Sequence, residues 1–141
     1  VYSMTPKASS AELMLRNFSK KSALMRQLQN IIENPAPQIP FELSEETRTT
    51  IEKFTQTLLD RIDDLTAEMK ETVNYLMKVS DVDPDAYAVL FYRYIASRER
   101  ITPWLAITDE MHYGICNLYR LHRTGLNIMD AILEKERAAN G

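Results

Sequence analysis

The residues best equipped for chemistry lie in one run, "RYIASRERITPWLAITDEMHYGICNLYRLH", residues 93 to 122, which holds both histidines, the single Cys and the single Trp of the chain. Within "DEMH", Asp109 and His112 stand three residues apart, which is half of a carboxylate–histidine metal pattern in a helical bundle. Such a site needs a second copy and two further glutamates. His122 has no acid within four residues, and Cys116 lies across a turn from Asp109 and His112 without a recognised ligand spacing. A lone Cys on a helix reads as a small apolar residue rather than a nucleophile. There is no Gly-rich phosphate loop, and no Ser/His/Asp or Cys/His arrangement follows from spacing. The expectation is that the chain is not an enzyme: no catalytic residue, no metal and no cofactor.

What survives is charge. Residues 92 to 126 contain Arg93, Arg98, Arg100, Arg120 and Arg123 against Glu99, Asp109 and Glu110, whereas the whole chain has 17 Lys+Arg against 20 Asp+Glu. From 115 to 126 there are two arginines, His122 and no acid. This is a weak basic patch in an acidic chain, the local signature that phosphate contact requires. Read blandly, the same arginines are a solvated face. On a helix, Arg120 and Arg123 would hold phosphates with help from Arg100. Asn117 is the residue able to make a bidentate contact, to adenine. Ile115 and Cys116 could at most meet a thymine methyl, or they face the core.

The elements that would position these groups are helical. Only 3 glycines occur in 141 residues, too few for a many-stranded sheet, and the 6 prolines fall near joints. "SSAE" (9–12) is a capping box with Ser9 as N-cap. Leu13, Met14, Phe18, Met25, Leu28, Ile31 and Ile32 then recur mostly at helical spacing, interrupted by Lys20 and Lys21. "NPAPQIP" (34–40) ends this helix. Ser44 caps a longer one, whose stripe is Ile51, Phe54, Leu58, Ile62, Leu65, Met69, Val73 and Leu76. Asp60, Asp63, Asp64 and Glu68 lie mostly off that stripe and read as a solvated face.

Asp83 caps a third helix with Pro84 at its first position, reaching about Ile95. Thr102 is expected to cap a short fourth helix opening on Pro103, with Trp104, Ile107 and Met111 on one face. "HYG" makes the turn into a last helix from 115 to about 137. Two helices joined by a turn of about three residues have the geometry of a helix-turn-helix. Trp104 is expected to be largely buried near Phe91, Ile107 and Leu118. The first helix is too short to cover the whole stripe of the second, so a homodimer through the second helix is expected. No apolar run approaches about 18 residues, so no membrane span is expected. No signal peptide is expected, and the single Cys allows no intrachain disulfide, which fits a reducing, cytoplasmic setting.

"YRYI", "PWLAITDEMHYG" and "LYRLHRTGL" together resemble the C-terminal helix-turn-helix of small phage and prophage transcriptional regulators, the ArpU/RinA-like group, related to region 4 of sigma factors. The resemblance rests on Arg93, Tyr94, Ile95, Trp104, Ile107, Tyr113, Tyr119, Arg120, Leu121, His122 and Leu126. It covers about 45 residues closely and the remainder in outline. Gly114 stands where the family pattern has a capping Ser, and Gly125 replaces an Ala, a change expected to loosen the last helix by about 0.5–1 kcal/mol. The resemblance implies an all-α fold, with a long helical hairpin over 1–80 and a sigma-region-4-like helix-turn-helix over 81–141. It also implies sequence-specific binding of double-stranded DNA through Cys116, Asn117, Arg120, Arg123 and Arg100, with RNA polymerase as a further partner. The alternative is a helical adaptor that works through its amphipathic hairpin and does not bind DNA.

Overall fold

A computed structural model describes residues 9–34 and 44–140. The fold is all-α: five helices and no strand among the described residues. They are α1 (Ser10–Glu33), α2 (Glu45–Val82), α3 (Pro84–Tyr94), α4 (Trp104–Met111) and α5 (Ile115–Asn140). Among the described residues no helix is long and apolar enough to cross a membrane. The "NPAPQIP" break lies, after Asn34, outside the described residues.

Three helix starts form as their sequences dictate. The Ser9 hydroxyl accepts from the Glu12 amide at 3.0 Å, Ser44 from Thr47 at 3.2 Å, and the Asp83 carboxylate from Ala86 at 3.1 Å. Each satisfies one of the amides that a helix start leaves without a partner. The fourth start differs from expectation. Pro103 itself occupies the cap position of α4, with no side-chain cap bond. Thr102 is held elsewhere: its amide donates to the Arg93 carbonyl at 2.8 Å, and its hydroxyl bonds Ser97 at 2.5 Å. The competing partners explain the loss of the cap, because one hydroxyl is already committed to closing the 95–103 joint.

The lower half of the hairpin and the C-terminal helices share a core. Ala11 and Leu15 of α1, Leu76 and Val79 of α2, Leu90 and Tyr94 of α3, and Met129 of α5 form one buried cluster. Polar ties cross the same junction: Ala11 N–H to Asp130 at 2.8 Å, Arg26 to Glu99, and Lys78 to Glu136 at 2.9 Å. On α1 the buried positions are Ala11, Leu15, Phe18 and Ser19, whereas Leu13 is 48% exposed. The buried face is thus rotated from the expected stripe, because α1 must meet α5 and α3 as well as α2.

A second, smaller cluster holds the helix-turn-helix together. Val89, Ile107, Leu118 and Leu121 are buried, with Tyr92, Trp104, Met111 and Tyr113 packed against them. α4 ends at Met111, and His112 adopts the left-handed conformation (φ 59°), turning the chain through 112–114 into α5. Gly125 has a packing role. A Cβ placed there would lie 2.8 and 2.9 Å from Leu90 side-chain atoms and 3.3 Å from the Ala86 carbonyl oxygen. Beside the expected loosening of the helix, this glycine lets α3 approach α5 closely.

The candidate nucleic-acid interface and the adjoining cleft

Leu118 and Leu121 anchor the start of α5 on α4, which turns the opposite side of α5 outward. That outward side carries Cys116, Tyr119, Arg120 and Arg123, all exposed, together with half-buried Asn117 and Thr124. Tyr119, Arg120, Arg123, Thr124 and Asn127 line one shallow recess of about 340 Å³. Four of the five expected residues are therefore neighbours on one helix. Arg100 is exposed in the joint before α4, and no hydrogen bond or ion pair links it to the others among the described residues. Ile115 keeps 36% of its surface exposed, so it faces solvent rather than the core.

Asn117 and Arg120 are not independent. The Asn117 side-chain oxygen accepts from Arg120 Nε at 3.2 Å and from its terminal nitrogen at 2.7 Å. Adenine recognition by Asn needs that oxygen as an acceptor and the amide nitrogen as a donor. Asn117 must therefore exchange Arg120 for a base before it can read one. Sequence spacing places the two three residues apart, a pairing distance on a helix, but does not tell which partner each prefers.

Trp104 is half-buried, not largely buried. It opens α4, so its ring lies at the rim while Ile107, one turn on, takes the buried position at 1% exposure. Phe91, expected beside it, packs on the other cluster. The neighbours of Trp104 are Arg93, whose guanidinium lies 4.4 Å from the ring centre, and the Tyr119 and His122 rings, edge-on at 5.1 and 5.0 Å. Behind them, fully buried Tyr94 shares a 2.7 Å hydrogen bond with His122 Nε2. Burial lowers the His122 pKa to about 4, with Arg93 and Arg16 adding to the effect against an opposing pull from Glu12, so the ring is neutral at pH 7. Burial likewise pushes the Tyr94 phenol up.

Arg93, Trp104, Tyr119 and His122 form one wall of a cleft of about 610 Å³, bounded on the other side by Ser9, Glu12 and Arg16 at the start of α1. Sequence reasoning missed it. Arg93, Trp104, Tyr119 and His122 were singled out for the motif they form, but nothing local indicates that the start of α1 folds back against α5. Asp109 and His112 are both exposed, and no group of three or more potential metal-binding side chains occurs among the described residues. Comparison with family models, with curated proteins and with solved structures finds no match for this chain.

Proposed function

We propose that this protein is a DNA-binding transcriptional regulator of the phage type, acting in the cytoplasm as a homodimer. α5 lies in the major groove and α4 supports it from behind. Arg120 and Arg123 hold backbone phosphates, with Arg100 as an outlying phosphate contact, and Asn117 reads a base once Arg120 has moved to a phosphate. Cys116 and Ile115 meet apolar base edges such as a thymine methyl. The distal part of α2 pairs two copies or contacts RNA polymerase. The observation that supports this most is the outward face of α5 from 115 to 126: two exposed arginines and no acid, on a helix backed by a turn of three residues.

The test is a binding titration on duplex DNA at several salt concentrations. Arg123→Ala is expected to weaken binding to all sequences alike and to reduce the salt slope by about one unit. Asn117→Ala is expected to relax preference at one base pair, by about 1–3 kcal/mol. Parent protein that fails to bind at low salt would overturn the proposal.

A second reading, a helical adaptor that does not bind DNA, is favoured by different features. Leu105 is 74% exposed on α4, Ile51 and Phe54 are exposed on α2, and Asn117 and Arg120 already satisfy each other. The same titration separates the two, since an adaptor leaves DNA unbound at every salt concentration.

A further inference from the structure

We propose that the cleft between the start of α1 and the first half of α5 binds a small organic anion, a phosphate or carboxylate carried on an aromatic or apolar body. Its volume of about 610 Å³ falls within the range of small-molecule sites, roughly 300–1,000 Å³. Three arginines line it, Arg16, Arg93 and Arg123, with two carboxylates, Glu12 and Asp130. Both carboxylates are already committed. Glu12 pairs with Arg16 at 3.0 Å, and Asp130 accepts the Ala11 amide at 2.8 Å. Arg93 and Arg123 have no carboxylate partner among the described residues.

Arg93 is only partly satisfied within its own fold. One terminal nitrogen donates to the Thr102 carbonyl at 2.7 Å, while its Nε is buried without a hydrogen-bond partner, the one such side-chain atom among the described residues. A guanidinium carries five N–H donors and pairs best with a planar or tetrahedral oxyanion. Beside it, Trp104, Tyr119 and Leu126 provide an apolar wall, and Tyr119 keeps 49% of its surface exposed. His122 is neutral there at pH 7 and so adds a polar edge without a charge. The volume exceeds what a bare phosphate fills, and a phosphodiester of duplex DNA has no apolar body to lay against that wall. The observations therefore favour a free organic anion over a backbone phosphate.

Trp104 is the sole tryptophan, so its fluorescence reports on the cleft in the full chain without DNA, independently of whether the protein is a regulator. The probes are adenosine 5′-monophosphate, benzoate and inorganic phosphate, each followed by fluorescence and repeated by calorimetry. The expected result is saturation by one of the two organic probes with Kd below about 1 mM. Binding should weaken by about tenfold or more in Arg123→Gln, an exposed position whose change leaves the core intact. Lys53→Gln, at the far end of α2, should bind as the parent does. Absence of saturation by both organic probes, equally tight binding of inorganic phosphate, or an unchanged Kd in Arg123→Gln would overturn the proposal.

Discussion

The two ends of α2 carry the same kind of side chain at the same spacing, yet they meet opposite surroundings. Toward the C-terminal end Leu76 and Val79 are exposed by no more than 1%, in one cluster with residues of α1, α3 and α5. Toward the N-terminal end Ile51 and Phe54 continue the same stripe but keep 47% and 58% of their surface. The cause is register. Lys21 pairs with Glu68 at 3.3 Å and Met25 touches Thr66 at 3.4 Å. In an antiparallel pair this sets the end of α1 level with roughly residue 57, leaving ~18 Å of α2 beyond it at 1.5 Å per residue. Periodicity thus specifies that a face exists, whereas chain length and register decide what lies against it.

The largest expected effect tests the covered end. Leu76 is 1% exposed within the cluster that joins four helices. Leu76→Ala is expected to cost about 2–5 kcal/mol, because neighbours drawn from four helices cannot all collapse into the space. Chemical denaturation measures this. A loss under about 1 kcal/mol would mean that the hairpin base and the C-terminal helices do not share a cooperative core.

Gly125 comes next, and here sequence and structure predict opposite signs. Helix propensity alone makes Gly125→Ala stabilising by about 0.5–1 kcal/mol. The new methyl would instead meet fully buried Leu90 at 2.8 and 2.9 Å and the Ala86 carbonyl oxygen at 3.3 Å. Overpacking of this kind costs about 1–3 kcal/mol. The net expectation is a lower denaturation midpoint. A raised midpoint would show that α3 yields without penalty.

That reversal marks what was legible and what was not. The caps at Ser9, Ser44 and Asp83, the stripe on α2 and the turn at 112–114 are written in residues that interact within a few positions of one another. Each was readable because the physics is local. Thr102 defeated the same reasoning: its hydroxyl has a competing partner in Ser97, five residues back. Trp104 failed for a related reason, since its place on the first turn of α4 sets its ring at a rim that only the folded chain creates. The cleft was invisible altogether. Its far wall, Ser9 to Arg16, is over a hundred residues from Tyr119 and Asp130 in the chain, and no periodicity records that separation. Of the set proposed to contact DNA, the placement of Asn117, Arg120 and Arg123 on one helix was legible from spacing, but the bond that ties Asn117 to Arg120 was not.

A smaller effect follows from the His122 ring behind Trp104. Its folded pKa of about 4 lies below the ordinary value of 6.5. The unfolded chain therefore binds a proton that the folded chain refuses over that interval. Stability is retained above about pH 6.5 and falls as pH drops toward 4. The ring is only partly buried, so solvent screening limits the loss to about 1–2 kcal/mol. Denaturation midpoints measured across this interval for the parent and for His122→Gln should converge at the acidic end. Parallel curves would show that the ring titrates normally.

The smallest effect belongs to the open end of α2, and its smallness is informative. Phe54 is 58% exposed and lies beyond the reach of α1, so truncating it removes little contact within one chain. Phe54→Ala measured in dilute solution should change stability by no more than about 0.5 kcal/mol, against several for Leu76→Ala on the same helix. Concentration then separates the possibilities. If two copies pair along this end, the parent should sediment as a dimer at tens of micromolar and gain stability with concentration, because association favours the folded form by mass action. Phe54→Ala should lose both properties together. A parent that remains a monomer at that concentration would remove the homodimer from the proposal and leave the open end to a different protein. A large loss of stability in the dilute variant would instead mean that the exposed stripe is covered within a single chain, which would erase the contrast between the two ends.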